Sequence, residues 1–113
     1  MTASPERLVV MLFEGALRFI ARAAAATRAG HRQRALDDVR RATAILDELN
    51  RTLDMDQGQI SVRLRSIYLF CKRNLVEAGS SGDAETMDTV ARLIGGLHEA
   101  FAEVADRSLV TAR

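Results

Sequence analysis

Apolar residues return at intervals of three and four along almost the whole chain, the spacing that places them on one side of an α-helix. Four such segments follow one another. The first runs from about Pro5 to Ala29, with a seam of Val9, Phe13, Ala16, Ile20, Ala23 and Thr27. The second runs from about Arg32 to Leu53 along Ala35, Val39, Ala42, Leu46, Leu49 and Leu53. The third runs from about Gln59 to Ala78 along Ile60, Leu64, Ile67, Cys71, Leu75 and Ala78. The fourth runs from behind Asp83 to about Asp106 along Met87, Val90, Ile94, Leu97, Phe101 and Val104. No segment has the strict alternation of a strand. Gly30, Gly58 and the run Gly79-Ser80-Ser81-Gly82 separate the four. Ser4 before Pro5 is a helix start, because the serine oxygen accepts from a free backbone N–H and proline at the first helical position gives up no hydrogen bond. Asp83 and Asp56 are placed to cap the helices behind them. Seams of this spacing joined by short connections predict an all-α fold, an antiparallel up-down-up-down four-helix bundle. A chain of 113 residues makes one such domain, with residues 1–3 as a short leader and 107–113 as a tail.

Two segments carry more apolar surface than a bundle seam consumes. On segment one the apolar arc runs from Leu8 through Leu12, Val9 and Phe13 to Leu17 and Val10. The charged strip is only Arg7, Glu14, Arg18 and Arg22, and Met11 lies inside it. A surface helix usually shows an apolar stripe of about 100° or slightly more. On segment three Val62, Leu69 and Val76 recur every seven residues roughly opposite the seam, with Tyr68 and Phe70 flanking it. Segment two, by contrast, surrounds its seam with Asp37, Asp38, Arg40, Arg41, Asp47, Glu48 and Arg51, a solvated face. The surplus has two readings: an interaction site for another protein, or deeper burial in a homodimer.

Composition narrows the function by exclusion. Hydrophobic residues are 48% of the chain and the formal net charge is +1, so charge alone selects no partner. No apolar run approaches the ~20 residues a membrane span needs, so no membrane insertion is expected. No signal peptide is visible, and the lone Cys71 has no internal disulfide partner, which fits a cytoplasmic protein. His31 and His98 have no partners at metal-ligand spacing, and Asp54, Asp56 and Gly58 lack the remaining ligands of a calcium loop. No metal, no cofactor and no catalytic residue is predicted. Arg22, Arg28, His31, Arg32 and Arg34 gather near the first turn, but without interleaved aromatics and with Asp37 and Asp38 following. No nucleic-acid partner is expected from them. Gly95-Gly96 inside segment four marks either close helix approach or a soft place in the helix.

The opening Ser4-Pro5-Glu6-Arg7-Leu8, the hydrophobic run behind it and the block Phe13-Glu14-Gly15-Ala16-Leu17 resemble the signature of the FliS family of flagellar secretion chaperones. The likeness continues through Ile45-Leu46-Asp47-Glu48-Leu49-Asn50, Leu53-Asp54-Met55-Asp56, Ile67-Tyr68-Leu69-Phe70, Asn74-Leu75, Gly82-Asp83 and Leu97-His98-Glu99-Ala100-Phe101. The resemblance implies a cytoplasmic helical bundle with no enzymatic activity. It also implies that the bundle binds the C-terminal segment of flagellin, prevents premature polymerisation and hands the subunit to a component of the type III export apparatus. On this reading the surplus faces are client contacts, and Leu8, Met11, Leu12, Val62, Tyr68 and Leu69 are the expected protein-binding residues, with Leu12 and Tyr68 the closest to the core. The alternative is a helical homodimeric adaptor without an exchangeable client. The chain departs from the family pattern at Phe13 and Phe70, where tyrosine is usual. It departs again at Val62 and Leu69, where polar residues are common, and at Gln57-Gly58-Gln59, where a double glycine is common. Only three residues precede Ser4, so the leader expected to cover a groove is short and the groove is expected to be open.

Overall fold

Four helices and their turns make up the computed structural model, which describes residues 4–111 and the side chains as far as Arg107. Helix α1 spans Pro5–Arg28, α2 Arg32–Arg51, α3 Gln59–Ser81 and α4 Ala84–Thr111, with one turn of 3₁₀ helix at Met55–Gln57. No strand occurs among the described residues. The predicted leader lies outside them, and α4 runs past its predicted end near Asp106 into the segment read as a tail.

The boundaries have local causes. Ser4 Oγ accepts from the Arg7 N–H at 3.2 Å, with Pro5 in the first turn. Helix α1 ends in a left-handed Gly30 (φ 78°), which lets the His31 N–H return to the Ala26 carbonyl and the Gly30 N–H to that of Thr27. Gly82 (φ 71°) closes α3 in the same way, with the Asp83 N–H on the Ala78 carbonyl. The Asp83 carboxylate then accepts from both the N–H and the hydroxyl of Thr86, and these bonds hold its pKa below the ordinary carboxylate value. Asp56 does not play the capping role predicted for it. Instead Asp54 accepts from the Asp56 N–H and starts the 3₁₀ turn, and α3 begins at Gly58 with no side-chain cap.

Helix α1 packs on α2 and α4, and α3 packs on the same two, so α1 and α3 stand diagonally across the bundle. Phe13, Ile20, Leu46, Leu49, Leu75, Met87 and Ile94 are fully buried at its centre. The Phe13 ring lies 5.2 Å from Phe101 and 6.2 Å from Tyr68, tilted against each, so three helices meet at one aromatic contact. Gly15 lets α1 approach α2 closely, since a Cβ there would stand 3.2 Å from Ile45 Cδ1. Gly95 and Gly96 show no such approach, for nothing lies within 4 Å of a Cβ built at either.

Burial raises the Cys71 thiol from 9.0 to about 11, and burial followed by the neighbouring Cys71 raises the Tyr68 hydroxyl from 10.0 to about 12. Above pH ~9 the unfolded chain gives up protons that the folded chain keeps, so stability falls as pH rises from there. Thermal melts across the alkaline range are expected to show this fall, with a shallower slope in Cys71→Ala; a flat profile between pH ~9 and ~11 would contradict the burial argument. Because Gly95 and Gly96 occupy helix interior with open space beside them, Gly95→Ala and Gly96→Ala are each expected to stabilise the fold by about 0.5–1 kcal/mol in denaturant titrations.

Candidate functional site

Helix α3 is fastened to one neighbour only. Its α2 flank carries Ser61, whose hydroxyl donates to the Asp54 carbonyl at 2.5 Å, and Lys72, whose Nζ lies 2.8 Å from Asp47 Oδ1. Gly79 on the same flank faces Val39 and Leu36 of α2, where an added Cβ would meet side-chain carbons at 3.3 and 3.4 Å. Helix α4 is fastened to α1, through Arg28–Asp88 at 2.5 Å and His98–Glu14 at 3.2 Å. Among the described residues no side-chain hydrogen bond or ion pair joins α3 to α4, and this pair of neighbours has the least contact.

The consequence is visible in exposure. At ~100° per residue, Phe70 lies on the flank of α3 away from Lys72, and Leu93 on the flank of α4 away from Asp88. Both therefore border the α3–α4 seam, and both are exposed, Phe70 at 55%. Ile60 and Val104, predicted as core positions, are exposed at 68% and 52%. Ser61 and Ala105 are buried in their place. Two causes act together. Ser61 is turned inward by its bond to the Asp54 carbonyl in the α2–α3 connection, which leaves Ile60 beside it turned out. On α4 a 3.6-residue helix drifts by about 20° per heptad against the strict spacing, and by the fifth turn Ala105 has taken over the inward direction from Val104. Leu64, Ile67, Leu97 and Phe101 are half-buried beneath, so the seam is an open apolar groove with an apolar floor.

The six residues read from the sequence fall into three groups. Val62 and Leu69 are exposed on the outer side of α3, in a row with Val76 that is turned away from the core. Leu8 and Met11 are exposed on α1, diagonally across the bundle, and Leu12 is half-buried against the core. Tyr68 is a correction: at 3% exposure it is core, turned toward α2 and Phe13, and is no docking residue. The structure thus brings Val62 and Leu69 together but leaves the α1 pair on a separate face. Sequence reasoning missed Ile60, Leu93 and Val104, and it noted Phe70 only as a flank of the seam. The signal for Phe70 and Leu93 was present as apolar positions about 100° off their seams. The Ile60 and Val104 exposures depend on how one helix is turned against another.

Nothing in the groove is equipped for chemistry. Cys71 is buried with its thiol raised to about 11, and no group of His, Cys, Asp and Glu suited to a metal occurs among the described residues. No helix among them is long and apolar enough to cross a membrane.

Comparison with known proteins agrees with the resemblance. A family model described as flagellar protein FliS matches residues 1–108. A flagellar secretion chaperone FliS from Campylobacter jejuni is 35% identical over 108 residues, covering 95% of this chain and 84% of that protein. FliS from Salmonella typhimurium is 29% identical over 110 residues, covering 96% and 82%, and FliS from Bacillus subtilis is 30% identical over 100 residues, covering 88% and 74%.

The exposed apolar residues contribute little to folding if they serve another purpose. Phe70→Ser is expected to leave the unfolding free energy nearly unchanged, whereas Phe13→Ala is expected to cost about 3–5 kcal/mol in urea titration. Comparable losses from the two would mean that the groove is structural.

Proposed function

The chain belongs to the FliS family of flagellar secretion chaperones, which are not enzymes, and we propose that it holds the C-terminal segment of flagellin in the cytoplasm until export. The observation that carries this reading is the open α3–α4 groove together with the exposed Val62, Leu69 and Val76 row on the outer side of α3. A folded bundle that leaves an apolar line uncovered is suited to an amphipathic helix laid into it. The flagellin segment supplies such helices as it orders on binding. Covering its apolar side keeps it from other subunits, which is how a passive partner prevents polymerisation. Ordering costs part of the interaction energy, so the complex stays loose enough for the subunit to be handed to a component of the export apparatus.

The positions of the apolar residues favour a client over a second copy of the chain. A two-fold dimer buries one self-complementary patch on each subunit. Here the apolar residues occupy α3 and its groove on one side and Leu8 and Met11 of α1 on the other. A segment that winds around the bundle covers both, and a single dimer interface covers one.

Calorimetric titration with a peptide from a flagellin C-terminus tests the proposal. Saturable binding is expected, together with a rise in melting temperature on adding the peptide. Leu69→Glu and Phe70→Glu are each expected to weaken it by at least about tenfold, which is ~1.4 kcal/mol, with Met11→Glu weakening it less and all three variants keeping their helicity. Absence of heat and of any thermal shift, or a dimer that persists on dilution with no affinity for the peptide, would remove the idea.

A further inference from the structure

The α1–α2 side of the molecule carries a second surface of different chemistry. The half-buried Phe19 ring lies on the α2 flank of α1. The guanidinium carbons of Arg18, Arg22 and Arg41 lie 6.0, 5.5 and 5.7 Å from its centroid. All three side chains are exposed, and none forms an ion pair with a described residue. Arg28, Arg40 and Arg51 each have a carboxylate of their own. One aromatic ring has only two faces to offer a cation, so three guanidiniums gathered around it share that attraction and repel one another. Such a cluster gains most from an incoming anion.

Arg22 also borders an open cleft of ≈ 560 Å³ between the end of α1 and the start of α2. Ala25 and Ala26 give it an apolar side, and His31 and Arg34 stand across from them. Asp38 lines it too, 7% exposed, with no hydrogen bond or ion pair to any described residue. The first turn of α2 adds backbone N–H groups with no side-chain cap and no acidic residue nearby in the turn. The cleft therefore sets two guanidiniums, of Arg22 and Arg34, beside an alanine wall, with the Asp38 carboxylate able to accept one hydrogen bond.

From this arrangement we infer that the α1–α2 face docks an acidic peptide segment of a partner protein. Its carboxylates pair with Arg18, Arg22 and Arg41, and an N–H or hydroxyl of the segment donates to Asp38. Bidentate guanidinium–carboxylate pairing suits the all-arginine cluster. A peptide is the occupant because it brings carboxylates and N–H donors together. A nucleic-acid backbone presents only acceptors at its phosphates, whereas a peptide backbone carries an N–H donor at almost every residue. The net charge of the chain is only +1, so the attraction is local to this face. The face lies across the bundle from the α3–α4 groove, and on α1 it adjoins Met11, about two turns before Arg18 on the same strip.

Fluorescence anisotropy with a labelled oligoglutamate peptide and the intact chain reads the proposal. Binding that weakens with added salt is expected. The triple variant Arg18→Gln/Arg22→Gln/Arg41→Gln is expected to lose about tenfold or more in affinity, three exposed pairs being removed. Arg22→Gln alone, shared by cluster and cleft, is expected to lose about threefold by the same reasoning. The triple variant Arg63→Gln/Arg65→Gln/Arg73→Gln on α3 removes the same charge elsewhere and is expected to bind like the parent. Equal losses in the two triple variants, undiminished binding in the first, or tighter binding of an oligothymidylate of equal charge would each overturn the inference. Phe70→Ser in the α3–α4 groove is expected to leave oligoglutamate binding unchanged, which separates this surface from the groove.

Discussion

The one-sided placement of the polar links of α3, all on its α2 flank, governs the form of this molecule. Ser61 on the Asp54 carbonyl, Lys72 on Asp47 and the close contact at Gly79 all lie on one flank of α3. Helix α4 is drawn the other way by Arg28–Asp88 and His98–Glu14. A bundle normally closes by burying every inward seam, and here the aromatic contact of Phe13 with Tyr68 and Phe101 does so at the centre. Away from that contact, neither polar links nor side-chain size draw α3 and α4 together. The groove follows from a deficit of interactions on one flank as much as from the apolar residues that line it.

This distribution separates stability from recognition. Phe13, Ile20, Leu46 and Ile94 carry the fold and meet no solvent. Phe70, Val62 and Leu69 meet solvent and can be covered by a partner without disturbing the core. Exposed apolar residues are a liability for any protein that stays alone, and a chaperone uses them only while its client is present. The arginines gathered on Phe19 stand across the bundle from the α3–α4 groove.

Much of this was legible in the sequence, and the part that was not has a clear physical origin. Helix number, order and caps were readable because Ser4, Gly30, Gly82 and Asp83 act on backbone groups a few residues away. The outer row Val62, Leu69 and Val76 was readable because a seven-residue period survives without neighbours. Ile60 and Val104 were placed in the core because periodicity gives the direction a side chain faces along its own helix. It does not give how that helix is turned against the next, and that decides whether an inward-facing residue is covered. Tyr68 misled in the opposite sense, since an aromatic beside a seam is consistent with either a core or a surface position. Asp56 was passed over as a cap because Asp54, two residues earlier, reaches the free N–H first.

The turn at Gly82–Asp83 joins the two helices that border the groove, and residues beside it, Ala78, Met87 and Val90, are buried while Ile60 and Val104 at the far end are not. The pair is therefore shaped like tongs. With α3 23 residues long, its far end stands about 34 Å from the joint at 1.5 Å per residue. A change of about 5° in the angle at the turn shifts that end by about 3 Å over such an arm, close to the width of one side-chain methyl group. The aromatic contact of Tyr68 and Phe101 with Phe13 lies part-way along these arms, so the centre of the bundle resists such a change and the pair is most exposed at its Ile60 and Val104 end.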